Sequence, residues 1–281
     1  MIWVVPSDIC TGIRITRKEC RKMARTKKTE VEEAIEEKVA FQPGKKIKMF
    51  FFTELLGSCP ADKEIYSKYI AKNRLDAPTV QDELQMLPEE EVIEQGTTCF
   101  LVRTHGKDKG KPCLAAYTIL GFMKEKTKFL RQETGNGFEK FTNYKGKIDG
   151  NFNIDKPFIT LNLPEGEEMG LCQRPLRAET AQGPRVALAS SLTCPPGTTC
   201  EFELMINNKE FNKFAIGCLK KGFWSGTGQW RSSQQKGRFL FEIYNQDGTY
   251  IDGNTKEHVG CLSTDPEWAD NWEEFLDQYR L

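Results

Sequence analysis

The residue types best suited to chemistry gather in Lys221–Tyr244, where Gly222, Gly226, Gly228 and Gly237 are interleaved with Trp224, Trp230, Arg231, Lys236 and Arg238. Glycine lets a backbone approach a bulky ligand because no Cβ intervenes. Guanidinium groups and exposed amides hold phosphates, and an indole face stacks a base. The set suits binding to nucleic acid, not a reaction on it. Gly226-Thr-Gly228 does not make a P-loop, since no Gly-Lys-Ser/Thr follows and the loop comes after a helical pattern instead of opening one. A second group, Arg174, Arg177 and Arg185, surrounds the Gln/Thr-rich segment Cys172–Pro184. It suits phosphate and ribose contacts, or equally an exposed loop whose arginines pair with nearby carboxylates.

His105 stands in the basic, Gly-rich loop His105–Pro112. It is the side chain from which a metal-free ribonuclease would draw its general base, although a solvated loop histidine fits the same surroundings. No Ser/His/Asp order, metal triad or paired-carboxylate set accompanies it, so the expectation is a non-enzyme with no cofactor and no metal. Ten cysteines are present without a Cys-x-x-Cys knuckle, the nearest pair being Cys194 and Cys200. They read as reduced thiols acting as small hydrophobes.

These groups must be held by elements of both kinds. Strands are expected at Lys46–Thr53, Thr97–Arg103, Phe158–Leu163, Thr198–Ile206 and Phe239–Tyr244 from alternation and β-rich composition. Val186 and Leu188 alternate before the Pro195-Pro196-Gly197 turn, which predicts a hairpin with Thr198–Ile206. Helical periods run through 62–72, 79–87 and Leu114–Arg131. Phe211, Phe214, Ala215, Cys218 and Leu219 recur at i, i+3, i+4, i+7 and i+8, an amphipathic helix closed by Gly222. The tail Thr264–Tyr279 opens with a cap and Pro266. It carries Trp268, Trp272, Phe275, Leu276 and Tyr279 on one stripe with an acidic back, to pack on the protein's own sheet or to dock in a partner's groove.

Across 281 residues, 40 Lys+Arg balance 40 Asp+Glu, which excludes a simple polycation. The balance is a sum of opposing blocks: 96–147 and 169–241 are basic, 49–95 and 242–281 acidic. The basic blocks hold the candidate binding residues, so a local basic groove is compatible with neutrality. With 38% hydrophobic residues and 18 Phe the chain can bury a core. No run approaches the ~20 apolar residues of a membrane helix, and Met1–Val5 is too short for a secretion signal. The expectation is a cytoplasmic protein of a bacterial host.

The order of elements in the second half is a Pro196-Gly197 turn and strand, the helix Phe211–Lys221, the loop Gly226–Gly237 and the strand from Arg238. It resembles the repeat-associated mysterious protein superfamily, the ferredoxin-like RNA-binding proteins that form the backbone of CRISPR effector complexes. Lys111–Lys124 is similar in placement to that family's helix-opening Ser-Ser-Leu-Lys-Gly segment, but Tyr117-Thr118 stands for the serines and Leu120 for the lysine. Phe52–Gly57, Cys172–Gly183 and Gly228–Ser233 also resemble uncharacterised phage and prophage proteins of Gram-positive bacteria, which implies an origin but no activity.

The resemblance implies an α+β fold, a ferredoxin-like (RRM-like) antiparallel sheet over 46–250. A helical insertion at 60–95, a basic arm and short helix at 1–45 and an acidic C-terminal helix at 251–281 complete it. The expected partner is RNA or single-stranded nucleic acid, bound by Arg174, Arg177, Gly226, Gly228, Trp230, Arg231, Lys236, Gly237 and Arg238. Self-association would follow the backbone-forming relatives. The alternative is a phage anti-defence protein that contacts a host defence complex through Trp268, Trp272 and Phe275.

Overall fold

The computed structural model describes residues 44–65, 80–88, 96–133, 138, 139, 141–180, 183–208, 211–229, 231 and 235–255. These belong to one unit spanning 43–281. The architecture is α+β, with two sheets and four helices of six or more residues among the described residues.

The first strand, β1 (Lys45–Phe51), lies at the centre of the larger sheet, with Ile47, Met49 and Phe51 all buried. Its antiparallel neighbours are β11 (Thr198–Ile206) and β12 (Phe239–Tyr244). Directly opposed residues share a face, so Ile47 sits with Phe202 and Ile243, and Met49 with Cys200 and Phe241. The other face carries charge: Lys48 stands opposite Glu201, and Lys46 reaches the same carboxylate at 2.8 Å. Beyond β11 come β8 (Phe158–Asn162), β6 (Pro112–Ala115) and β5 (Leu101–Val102). β7 (Phe152–Ile154) also pairs with β11, and β13 (Tyr250–Gly253) forms the opposite edge against β12.

Two helices cover the apolar face. The longer, α2 (Ala116–Gln132), buries Ile119, Phe122, Met123, Lys126, Thr127 and Leu130, a stripe at helical spacing whose centre is polar. α4 (Asn212–Lys220) buries Ala215, Cys218 and Leu219. The two meet where Thr127 Oγ1 lies 3.3 Å from Cys218 Sγ. Of two shorter helices, α1 (Val80–Gln85) precedes this pair in sequence and α3 (Tyr144–Asn151) falls between its members. Taking β1, α2, β8, β11, α4 and β12 in chain order gives β-α-β-β-α-β, and in space the strands run β12-β1-β11-β8, all antiparallel.

The second sheet is built from β2 (Leu55–Leu56), β3 (Cys59–Pro60), β4 (Thr98–Cys99), β9 (Gly170–Thr180) and β10 (Gly183–Cys194). A smaller apolar cluster of Cys59, Ala61, Met86, Leu87, Cys99, Leu101, Cys113, Ala115 and Phe158 joins it to β5, β6 and β8.

Two expectations are corrected here. The Arg-rich segment from Cys172, read as a polar loop, is the long strand β9, paired residue for residue with β10. The hairpin therefore joins β9 to β10, not β10 to β11: Pro195–Gly197 hands the chain from one sheet to the other. Residues of the predicted helix Leu114–Arg131 that precede Ala116 belong to β6. No helix among the described residues is long and apolar enough to cross a membrane. The seven described cysteines are unbridged, and all but Cys172 are buried. Burial pushes the thiols of Cys99, Cys113 and Cys194 up to about 12.

Candidate nucleic-acid interface

The predicted binding loop is anchored to the end of β1. Gly237 N–H donates to Glu54 O at 2.7 Å, Thr227 N–H to Gly237 O at 2.9 Å, and Arg238 N–H to Thr53 Oγ1 at 2.8 Å. The two limbs of the loop thus lie against each other. A Cβ on Gly226 would stand 2.1 Å from the Gly237 carbonyl, and one on Gly237, whose φ is +65°, would stand 2.0 Å from Thr227 O. These glycines let backbone meet backbone, a different use from the close ligand approach expected of them. Gly228 has φ +82° and turns the chain beside Leu56.

The cations of the loop are engaged to different degrees. Arg238 is buried, with Nε 2.5 Å from Phe223 O, Nη1 3.1 Å from Gln235 Oε1, and its guanidinium against the neighbouring rings of Phe52 and Phe223, 4.8 and 5.1 Å from their centres. That position is inside the fold, not on a ligand-facing surface. Arg238→Ala should therefore lower stability by ~3 kcal/mol, through a lost charge-assisted bond and lost stacking, as read by urea denaturation. Lys236 pairs with Glu54 at 2.5 Å. Trp230 lies outside the described residues, as do Trp268, Trp272 and Phe275. The neighbouring Trp224 is 69% exposed, its ring edge-on to Phe223.

Arg231 faces a cleft of about 520 Å³ between the loop and the first turns of α2, lined also by Ser58, Tyr117, Thr118, Gly121, Phe122, Glu125, Thr227, Gly228 and Gln229. α2 has no side-chain cap at Ala115; Ala116 N–H donates to Pro157 O at 2.8 Å, and the amides that follow bring partial positive charge to this end of the helix. Thr227 is only 1% exposed and lines the cleft.

Opposite stands a charge cluster. Arg231 Nε and Nη2 grip Glu125 Oε2 at 2.6 and 2.5 Å, and Nη1 donates to Gly228 O at 2.8 Å. Burial pushes the Glu125 carboxyl up, but the hydrogen bond from Arg231 and the charges of Lys126 and Arg231 bring it below its usual range. Lys126 is 1% exposed, bonded to Ser225 Oγ at 2.8 Å, 3.3 Å from Glu125, and near the rings of Phe122 and Phe129. Desolvation lowers its pKa from 10.5 despite the pull of Glu125. The native state therefore gives up this proton before the unfolded chain does, so stability should rise with pH between the lowered value and 10.5. Lys126→Met should erase that slope and, since Glu125 keeps Arg231, raise stability at neutral pH by ~1 kcal/mol, measurable by urea midpoints across pH.

The arginines of β9 take separate places. Arg174 is half-buried and opposite Ala189, two residues from the Ser191 position and on the same strand face. Ser191 Oγ and Thr98 Oγ1 both lie 3.3 Å from Gln229 Oε1 in the cleft wall, so that hairpin face runs out from the cleft. Arg177 occupies the register position opposite Val186, and its side chain is outside the described set. His105 is exposed, well apart in sequence and lining a different pocket. Ser58, Glu125 and Thr227 are the site residues that sequence reasoning passed over. Thr227 lay in plain view between two glycines.

No family model matches the chain, and no curated protein matches it. Among solved structures it is similar to a chain in the cryo-EM structure of the type III-B Cmr-beta bound to cognate target RNA. The identity is 11% and the TM-score 0.43, covering 80% of this chain and 67% of that one.

Proposed function

We propose that the chain is a non-enzymatic binder of RNA or another single-stranded nucleic acid, built on a ferredoxin-like core of the repeat-associated mysterious protein kind. The strand order β12-β1-β11-β8 with α2 and α4 on one face supports the fold. The observation that carries the function is the cleft between α2 and the glycine loop. It combines the N-terminal turns of α2, the Thr227 hydroxyl and the Arg231 guanidinium, which suit one backbone phosphate. From there Gln229, Ser191 and Arg174 line a face that leads along the β9–β10 hairpin. Two residues of strand span about 6.6 Å, so a chain of phosphates can follow it.

Thr227→Val keeps the volume and removes the hydroxyl. It should weaken binding of a fluorescent single-stranded RNA about fivefold, the worth of one hydrogen bond, with the thermal midpoint held. Wild-type protein that binds neither RNA nor single-stranded DNA in low salt would remove this reading. The anti-defence alternative rests on Trp268, Trp272 and Phe275, outside the described residues, and gains no observation here.

A further inference from the structure

Away from the cleft, a second pocket of about 250 Å³ is lined by Gln85, Met86, Arg103, Thr104, His105 and Phe158. Its floor is apolar, since Met86 and Phe158 are buried, and among the described residues its rim is polar without a carboxylate. The loop that carries the rim is closed by backbone bonds at both ends: Arg103 N–H donates to Lys111 O at 2.9 Å, and Gly110 N–H to Arg103 O at 2.8 Å.

Arg103 is held in place from one side. Its Nη2 donates to Phe158 O at 2.6 Å, Nε lies 3.4 Å from Thr160 Oγ1, and the guanidinium stands 5.8 Å from the centre of the Phe158 ring. Nη1 has no acceptor among the described residues. The acid within the loop, Asp108, is taken by Lys111 at 3.0 Å. Its carboxyl is held below the usual range by the hydrogen bond from Lys111, with Lys107 and Arg103 adding their charge. The rim therefore presents a fixed guanidinium, an imidazole, a hydroxyl and an amide in a locally cationic field.

We infer that this pocket binds a phosphate monoester, with Arg103 and His105 on the phosphate and the attached group against Phe158 and Met86. A monoester carries up to two negative charges and three terminal oxygens, which a preorganised fork and its neighbours can share. The volume admits a phosphate with part of a sugar or base. A free mononucleotide and the phosphorylated end of a nucleic acid offer the same chemistry.

The full chain is titrated calorimetrically with inorganic phosphate, adenosine 5′-monophosphate and adenosine. In parallel it is titrated with one short RNA bearing a 5′-phosphate, a 3′-phosphate or hydroxyls at both ends. Binding of phosphate and the monophosphate but not adenosine assigns a free small ligand. A preference for one phosphorylated RNA over the hydroxyl form, without small-molecule binding, assigns a chain end. In either case Arg103→Ala should weaken the interaction at least about tenfold and His105→Ala or Gln85→Ala about threefold, as for charge-assisted and neutral hydrogen bonds. The His105 and Gln85 side chains are exposed, so those variants report even if Arg103→Ala fails to fold.

Arg231→Ala, in the cleft, should leave binding of the small phosphates unchanged, which separates failure of this site from failure of the cleft. Absence of any phosphate-dependent binding overturns the inference, as does binding indifferent to all three substitutions.

Discussion

Gly237→Ala should remove a large part of the protein's stability and its nucleic-acid binding together, and Gly226→Ala should do nearly the same. At position 237 the backbone has φ +65°, where a Cβ costs ~1–2 kcal/mol by itself. The new methyl would also sit 2.0 Å from Thr227 O, and at Gly226 it would sit 2.1 Å from the Gly237 carbonyl. Both obstacles are backbone atoms, so no rotamer change relieves them and the loop limbs must part. Parting them breaks the bonds from Thr227 N–H to Gly237 O and from Gly237 N–H to Glu54 O, each worth ~1 kcal/mol.

The sum, roughly 4 kcal/mol, is a large part of the 5–15 kcal/mol that holds a typical domain. A urea titration of each variant gives the loss directly. Gly248→Ala supplies a control for φ alone, since Gly248 has φ +85° with nothing near its missing Cβ. If Gly237→Ala cost no more than Gly248→Ala, the glycine pair would not be what closes the loop.

Much of the fold was legible in the sequence wherever one face of an element is buried. Ile47, Met49 and Phe51 in β1 and the spaced apolar residues of α4 announce their elements because alternation or helical period coincides with burial. β9 was not legible for the converse reason. Together with β10 it extends away from the core, leaving Leu171, Leu176, Val186 and Leu188 exposed among polar residues. With little buried surface on either side, the strand writes no period of two. α3 buries one residue, Ile148, and carries two glycines, so no apolar stripe marks it. Pro195–Gly197 marks a turn but says nothing of which strands will pair, and here they lie in different sheets.

The candidate site was legible as a composition and illegible as a mechanism. The crowding of glycine and arginine in 226–238 located the loop. Which arginine faces ligand and which faces core depends on partners far off in sequence: Phe52 and Phe223 pack against Arg238, and Glu125 holds Arg231 from 106 residues away. Spacing cannot report such a contact. Tyr117-Thr118 was noted for its place at a helix start, and that place is what brings it to the cleft.

Arg231 and Glu125 lead to opposite expectations from one ion pair. If the cleft takes a phosphate, Arg231→Ala removes a donor and a positive charge from beside it, and affinity for single-stranded RNA should fall at least about tenfold. The slope of log K against log salt should shrink by about 0.7, the release of one counterion from a single strand. Glu125→Gln removes a negative charge from the same wall while leaving an oxygen to accept from Arg231, whose bond to Gly228 O still holds it in place.

A carboxylate about 6 Å from a bound phosphate at an effective dielectric near 40 costs ~1.4 kcal/mol, so that variant should bind about tenfold tighter. An Arg231 whose work is only to tether the loop predicts otherwise: weakening its anchor would leave affinity unchanged or lower it. Anisotropy titrations of both variants at several salt concentrations, with the fold checked by urea midpoint, therefore decide between a guanidinium that meets ligand and one that merely closes the loop. The pair is informative because the two roles agree on Arg231→Ala and part on Glu125→Gln.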